Sequence, residues 1–197
     1  MKIFLAGATG VIGVRLIPLM LAEGHVVAAM TRTPSKTDEL RAAGVSPVLC
    51  DLFDPEALVA AVTGFKPDVV MHQVTDLPDR LDQLAEFLPR NNRVRSEGTR
   101  NLLAAARAAN ASGFVAQSIA WRSGPGSGAV VDAHENAVVA AGGAALRYGV
   151  FYGPGTFNES EPPPHPRIHV DEAARRTMPF LAGQHGIFTI TEDDVAS

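Results

Sequence analysis

Apolar residues along the chain fall into short runs and helical stripes that alternate. Ile3, Phe4 and Leu5 form the kind of run that a strand buried on both faces shows. Val14, Leu16, Ile17 and Met20 then recur at helical intervals up to Gly24. Val26 to Met30 reads as a second strand, Pro34 to Ala43 as a helix closed by Gly44, and Pro47 to Cys50 as a third strand. Pro55 to Val62 reads as a helix with Asp54 as its N-cap, and Asp68 to Val74 as a fourth strand. Pro78 and Pro89 bracket a polar helix within Thr75–Arg90. From Asn91, the residues Val94, Gly98, Leu102, Ala105 and Ala109 mark one face of a long helix. Gly113 to Ser118 is the fifth strand, Ser123 to Gly128 a flexible linker, Asp132 to Ala141 a helix and Ala144 to Val150 the sixth strand. Gly153-Pro154-Gly155 is a turn. Glu161 to Pro166 holds four prolines in six residues and cannot be helical. Val170 to Leu181 is a last helix and Gly186 to Ile190 an edge strand.

Strands that alternate with helices imply right-handed crossovers and a parallel sheet. The pattern predicts an α/β doubly wound parallel sheet over residues 1–153, in the order 3-2-1-4-5-6. A shorter C-terminal piece over 154–197 follows it.

The junction between the first strand and the first helix carries the candidate chemistry. Gly7, Gly10 and Gly13 stand there at a spacing of three. Strand, glycine turn and helix is the layout that binds a dinucleotide pyrophosphate: Gly7 for the tight turn, Gly10 for close backbone approach, Gly13 for helix–strand packing. The free N–H groups of the helix would face the anion. A triphosphate-binding loop would end in Gly-Lys-Ser/Thr, and Gly13-Val14-Arg15 stands here instead.

Composition narrows the classes. A chain of 197 residues fits one domain or one with a small appendage. Cys50 is the only cysteine, so no internal disulfide can form, and a reducing, cytoplasmic setting is expected. The net charge of −4 offers no basic footprint for nucleic acid. No apolar run reaches the 18 residues or so of a membrane span. The glycines and Arg15 argue against reading residues 2–14 as a signal peptide.

As a set, several segments resemble the extended or atypical short-chain dehydrogenase/reductases, the NAD-dependent epimerase/dehydratase family. They are GATGVIG at 7–13, Asp51-Leu52, VVMHQV at 69–74, EGTRNLLAAAR at 97–107, FVAQS at 114–118, LRYGVFYGPGT at 146–156 and HVDEAAR at 169–175. The resemblance implies a Rossmann-type, NAD(P)-binding fold and an oxidoreductase or epimerase activity on a small carbonyl or hydroxyl compound. It implies that Gly7, Thr9, Gly10, Val11 and Ile12 cradle the pyrophosphate and that Asp51 and Leu52 flank the adenine. Gln73 and Val74 would lie along the cofactor, with Tyr152 near its nicotinamide end.

The departures from that family are specific. Its Tyr-x-x-x-Lys pair, in which the lysine lowers the tyrosine pKa, has no counterpart. If Glu135 is the glutamate that follows the pair, Ser127 and Val131 occupy the two positions. Tyr148 and Tyr152, the two tyrosines present, lie beyond that helix. Ser118 matches the family's hydroxyl donor to within one residue, and His134 is a candidate substitute acid/base, with surface placement as the alternative. The substrate lobe is short: it is vestigial, or completed by another chain, or the sequence is shortened.

Strand two ends Ala29-Met30-Thr31-Arg32-Thr33 with no carboxylate to hold a ribose 2′-OH. Arg32, helped by Lys36, stands where it could meet a 2′-phosphate, so NADP is expected rather than NAD; solvated surface cations are the alternative. Asp51 has a second reading as a turn residue, and His72 one as a hydrogen-bonded core residue. His165 and His169 lack an evident third partner, so no metal is expected. Trp121 and Arg122 could stack a substrate or line a contact in a homodimer. Two functions follow: an NAD(P)-dependent oxidoreductase or epimerase, or a catalytically silent NADP(H)-binding redox sensor.

Overall fold

A computed structural model describes residues 1–78, 80–121 and 127–192. Seven parallel strands form the central sheet. They are β1 (Lys2–Ala6), β2 (Val26–Thr31), β3 (Ser46–Leu49), β4 (Val69–His72), β5 (Gly113–Ile119), β6 (Ala144–Tyr148) and β9 (Gly186–Ile190). Their order is β3-β2-β1-β4-β5-β6-β9, the expected order extended by one strand at the β6 edge.

The two faces of β1 show how the sheet is built. Ile3 and Leu5 point to one side, where they meet Leu16 and Met20 of α1 (Gly13–Ala22) and Ala173 and Ala174 of α7 (Val170–Thr177). Phe4 and Ala6 point to the other side, against Leu58 and Val62 of α3 (Pro55–Phe65) and Leu102 and Ala105 of α5 (Thr99–Ala108). All twelve of these side chains are fully buried. Each large one contributes about 1.5–3 kcal/mol. The third strand and the helix α2 (Thr37–Ala42) close the β2 side. Asp54 caps α3 by accepting from the Ala57 amide at 3.0 Å, as its sequence predicts.

Several boundaries differ from the sequence reading, four of them with consequences for the site or the core. The sixth strand stops at Tyr148, because the chain leaves the sheet at Gly149: a Cβ there would lie 2.6 Å from the backbone of Arg167. Val150–Tyr152 (β7) pairs instead with Arg167–His169 (β8) in a small parallel sheet of its own. Pro89 does not end the polar helix but lies inside α4 (Leu84–Arg93), which runs through a π-helical turn at Val94–Gly98 into α5. Helix α6 begins at Ser127, so the described end of the expected linker is already helical, and the linker's residues 123–126 lie outside the described residues. Helix α7 gives way to a 3₁₀ segment at Met178–Ala182.

Helix α7 and the ninth strand, within the described residues after 154, join the main core rather than standing apart from it. The ninth strand pairs with β6 from Ala144↔Gly186 to Tyr148↔Ile190, and α7 packs on α1. Arg15 ties this region to the glycine turn. Its Nε donates to Asp171 Oδ1 at 2.5 Å, Nη1 to the Val11 carbonyl at 2.7 Å and Nη2 to the Pro154 carbonyl. Among the described residues no helix is long and apolar enough to cross a membrane.

Candidate functional site

The carboxyl ends of β1 and β4 open onto a crevice at the point where the strand order reverses, the position at which doubly wound sheets bind ligands. The glycine turn forms its floor. Gly7 adopts φ +90°, and a Cβ on it would lie 2.5 Å from the Gln73 carbonyl carbon. A Cβ on Gly13 would lie 2.2 Å from the Gly7 oxygen. Both glycines thus fix how closely α1 and β4 approach the turn. Gly10 differs: the nearest atom to a Cβ there is the Gly7 oxygen at 3.4 Å, so that side faces open space. No side chain caps the start of α1, and its first turn has no acidic residue, which leaves amide donors and the positive end of the helix at the crevice. The turn is thus a cradle that a side chain at Gly10 would partly fill, and it fits a pyrophosphate.

From the turn the crevice runs in two directions. One arm, about 250 Å³, is lined by Gly7, Thr9, Gly10, Arg32, Asp51, Leu52, Gln73 and Val74, together with Thr31, Thr75 and Asp76. Eight of the residues expected at a dinucleotide therefore share one wall. Within it, Asp51 Oδ1 accepts from the Phe53 amide at 2.9 Å, so the turn role read from the sequence is present beside the cleft position. Arg32 is 60% exposed, and its Nη2 stands 3.8 Å from Asp76 Oδ1. Asp76 is already gripped by both Nε and Nη2 of Arg90, at 3.0 and 2.9 Å, which leaves Arg32 free to turn toward a ligand.

The other arm is a cleft of about 1080 Å³, joined to the first at Thr75. Val11, Gln117, Ser118 and Tyr148 line it, with an apolar wall that includes Leu77, Leu88, Trp121, Phe151 and Phe157. Three residues expected at the cofactor stand outside both arms. Ile12 is a core residue at 2% exposure, Lys36 is paired with Glu39 at 2.9 Å, and Tyr152 donates to the Glu192 carboxylate and packs its ring edge-on to His169.

Two hydroxyl groups of the larger arm, those of Ser118 and Tyr148, are committed. Ser118 is buried and donates to Glu135 Oε1 at 2.5 Å. Arg147 grips the same carboxylate through Nε and Nη2 at 2.9 and 2.6 Å. Burial alone would raise the Glu135 carboxyl, but the hydrogen bonds from Arg147 and Ser118 outweigh it and hold the group below its usual range. Ser118 thus points its proton at a carboxylate and presents lone pairs elsewhere. Burial pushes the Tyr148 hydroxyl up, and its partner is Thr177 Oγ1 at 2.7 Å. The chain's three lysines, Lys2, Lys36 and Lys66, are remote in sequence from all of these groups, and none lines either arm.

His134 is not brought into the larger arm. It is 3% exposed, with Nδ1 2.8 Å from Thr99 Oγ1 and Nε2 3.0 Å from the Gln117 carbonyl. It borders a separate cavity between α5 and α6. Burial lowers its pKa. The sequence expectation of a helix-surface residue or an acid/base therefore gives way to a buried, doubly bonded ring. Its neighbour His72 lies edge-on at 5.9 Å, and burial, reinforced by His134, drives His72 down to about 3. Among the described residues no group of three or more His, Cys, Asp or Glu side chains is placed to hold a metal ion.

A pH effect follows from His72. The folded protein leaves it neutral where the unfolded chain, at about 6.5, takes up a proton, so stability falls as pH drops through 6.5 toward 3. Between pH 7 and pH 5 the loss is about 2 kcal/mol. Urea midpoints should drop over that interval, and His72→Leu should flatten the slope; an unchanged slope would remove His72 as the cause.

A model of the NAD(P)H-binding family matches residues 7–147, which spans the glycine turn, the smaller arm, the Glu135–Arg147 pair and part of the larger arm. The chain belongs to that family. A 3-diazoavenalumate denitrifying reductase from a Streptomyces species is 38% identical over 180 residues, covering 79% of this chain and 58% of the relative. A 3-beta-hydroxysteroid dehydrogenase of Mycolicibacterium neoaurum is 28% identical over 116 residues, covering 58% of this chain and 31% of the relative. The chain thus spans less than two thirds of the length of these curated relatives. Among solved structures, the Thermus thermophilus UDP-glucose 4-epimerase in complex with NAD superposes with a TM-score of 0.79 at 21% identity, covering 97% of this chain and 78% of that one. The Bacillus cereus UDP-N-acetylglucosamine 4-epimerase gives 0.70 at 18% identity, covering 100% and 80%. These two show the fold of this NAD(P)H-binding chain as that of the epimerases, and the resemblance read from the motifs holds at the level of family and fold.

Two features of the site escaped the sequence reading. Glu135 served there only to count positions, because nothing in a helix sequence says that its carboxylate will turn inward to an arginine on β6. Arg95 was passed over within RVRSEG, although a basic residue beside small ones on an otherwise buried face was a usable signal.

Proposed function

We propose that this chain is an NAD(P)H-dependent reductase whose substrate accepts hydride without needing a proton from the protein in the same step. The commitment of Ser118 to Glu135 carries this reading. A ketone becoming an alkoxide needs a donor at its oxygen, and general acid catalysis there is typically worth 10²–10⁴-fold. Here the Ser118 hydroxyl donates to an ionised carboxylate, and the tyrosine–lysine pair is absent. The name of the 38% identical relative supports a substrate of suitable chemistry, a diazo or diazonium compound that loses dinitrogen on reduction. A bound dihydronicotinamide would supply two electrons and one hydrogen, which replace the departing N₂ on the substrate carbon with no proton taken up. The chain's own part is to orient and to exclude water. Gly7, Thr9 and Gly10 would hold the pyrophosphate, Asp51 and Leu52 the adenine, and the apolar wall would keep the larger arm dry. Val11, next to that turn, would border the nicotinamide.

The test is turnover of a benzenediazonium salt with NADPH and with NADH, followed at 340 nm and by arene formation, beside acetophenone as the ketone control. Diazonium reduction with little or no ketone reduction is expected. Brisk ketone reduction would overturn the reading. Tight cofactor binding with neither activity would favour the redox-sensor alternative.

For the cofactor, Arg32 supports NADP, while the epimerase of Thermus thermophilus was crystallised with NAD. A hydrogen bond to a charged group is worth about 1.5–3 kcal/mol. Arg32→Ala should weaken NADPH roughly 10- to 150-fold and leave NADH nearly unchanged. Calorimetric titration of both cofactors decides it, and an equal loss for both would remove Arg32 from the 2′-phosphate. Lys36, occupied by Glu39, would contribute little.

A further inference from the structure

Among the described residues, one cation on the wall of the larger arm has no partner. Arg95 sits in the π-helical turn Val94–Gly98, a geometry that recurs at functional sites. It borders the larger arm beside Asn91, Gln117 and Ser118, and on its other side the cavity of about 510 Å³ between α5 and α6. Among the described residues no carboxylate lies within ion-pair distance of its guanidinium and no acceptor bonds to it. The arginines nearby are spent: Arg80 on Asp82, with contacts at 3.0 and 2.7 Å, and Arg90 on Asp76. The carboxylate whose field reaches Arg95 is Glu135, and that group already holds Arg147 and Ser118. Burial disfavours the charged form of Arg95. A partly desolvated cation without a counter-ion is costly unless something supplies one.

We propose that Arg95 binds a carboxylate carried by a substrate whose remaining surface is apolar and aromatic. A guanidinium offers a planar fork that matches a carboxylate in a two-point contact. The same cleft is lined by Leu84, Leu88, Trp121, Phe151 and Phe157, which suits a flat hydrocarbon body. A diphosphate-linked sugar would ask for at least a second uncommitted cation, and the described lining of this arm has none. This inference rests on the reading of the larger arm as the substrate end, and it adds to that reading the class of group that sets substrate orientation.

The experiment uses the full chain saturated with NADP⁺ and two probes, cinnamate and cinnamide, which share shape and differ in charge. Cinnamate should bind at least tenfold more tightly than cinnamide. Arg95→Met should weaken cinnamate by roughly 10- to 150-fold and leave cinnamide unchanged, while Arg95→Lys should recover part of the difference. NADPH affinity, measured on each variant, should stay at the wild-type value and the melting temperature should not fall below it, which separates a lost contact from a lost fold. Equal binding of the two probes to the wild type, no binding of either, or discrimination that survives Arg95→Met would overturn the proposal. Failure of NADPH itself to bind would instead overturn the reductase reading, so the two failures are distinguishable.

Discussion

Gly7→Ala is expected to remove cofactor binding together with much of the protein's stability, whereas Gly10→Ala should remove cofactor binding alone. At Gly7 the new methyl group would meet the Gln73 carbonyl carbon and oxygen at 2.5 Å and the Val74 nitrogen at 2.7 Å, all backbone atoms. The residue would also have to hold φ +90°. A side chain in such a region costs about 1–3 kcal/mol. Overpacking against atoms that cannot swing away costs about 1–3 kcal/mol more. The sum is a large share of the roughly 5–15 kcal/mol by which a domain is stable. Relief would require β1 and β4 to part where Ala6 faces His72, so the damage would reach the centre of the sheet. At Gly10 the added carbon meets only the Gly7 oxygen at 3.4 Å, an ordinary contact, and projects where the pyrophosphate would lie. Melting curves and NADPH titration of the two variants give the check. A Gly10→Ala protein with unchanged affinity would show that the pyrophosphate does not rest on this turn. A Gly7→Ala protein as stable as the wild type would mean that the turn relaxes.

The contrast between these glycines also shows what the sequence could convey. Spacing told that Gly7, Gly10 and Gly13 belong to one turn, because strand and helix periodicities on either side leave only that junction. The core was equally legible: Phe4 and Leu5 must face opposite sides of any strand, and both faces of β1 proved to be covered by helices. Parallel order followed from the alternation of elements. What escaped depends on contacts far apart in sequence. Gly149 ends β6 because the backbone of Arg167 crosses it, and no local signal announces that crossing. Pro89 was read as a bracket because its ring removes a backbone donor, yet the helix from Leu84 runs through it, as the helix from Gly13 runs through Pro18. The candidate site was legible by wall but not by wiring. Eight residues that the motifs, the resemblance and the end of strand two pointed to line one arm, whereas the partners of Ser118 and His134 were not legible, since a hydroxyl or a ring nitrogen takes its role from what it faces.

Glu135→Ala is expected to destabilise the protein by about 3 kcal/mol, while Ser118→Ala should cost less and leave diazonium reduction within about threefold of the wild type. Removing one member of a buried pair leaves an uncompensated charge, typically a loss of about 3–5 kcal/mol. The lower end applies here because Arg147 retains 31% exposure and can turn partly to water. Ser118→Ala deletes one hydrogen bond to a charged acceptor, about 1.5–3 kcal/mol. It leaves the Arg147 fork in place. The same pair gives an acid dependence with a definite sign. The Glu135 carboxyl lies below its unfolded value of 4.5, so its contribution is complete above that pH and is lost as pH falls through the folded value. Wild-type urea midpoints should therefore fall more steeply below pH 4.5 than the His72 slope alone, which continues toward pH 3, and Glu135→Ala should lack the added slope. The kinetic half of the prediction separates two uses of Ser118. If its hydroxyl donated to a substrate oxygen, kcat would drop 10²- to 10⁴-fold in Ser118→Ala. If its proton belongs to Glu135, as the 2.5 Å contact indicates, kcat should barely move while stability falls. A large loss of kcat with normal stability would return Ser118 to the role of proton donor and would require a carbonyl substrate in place of the diazonium.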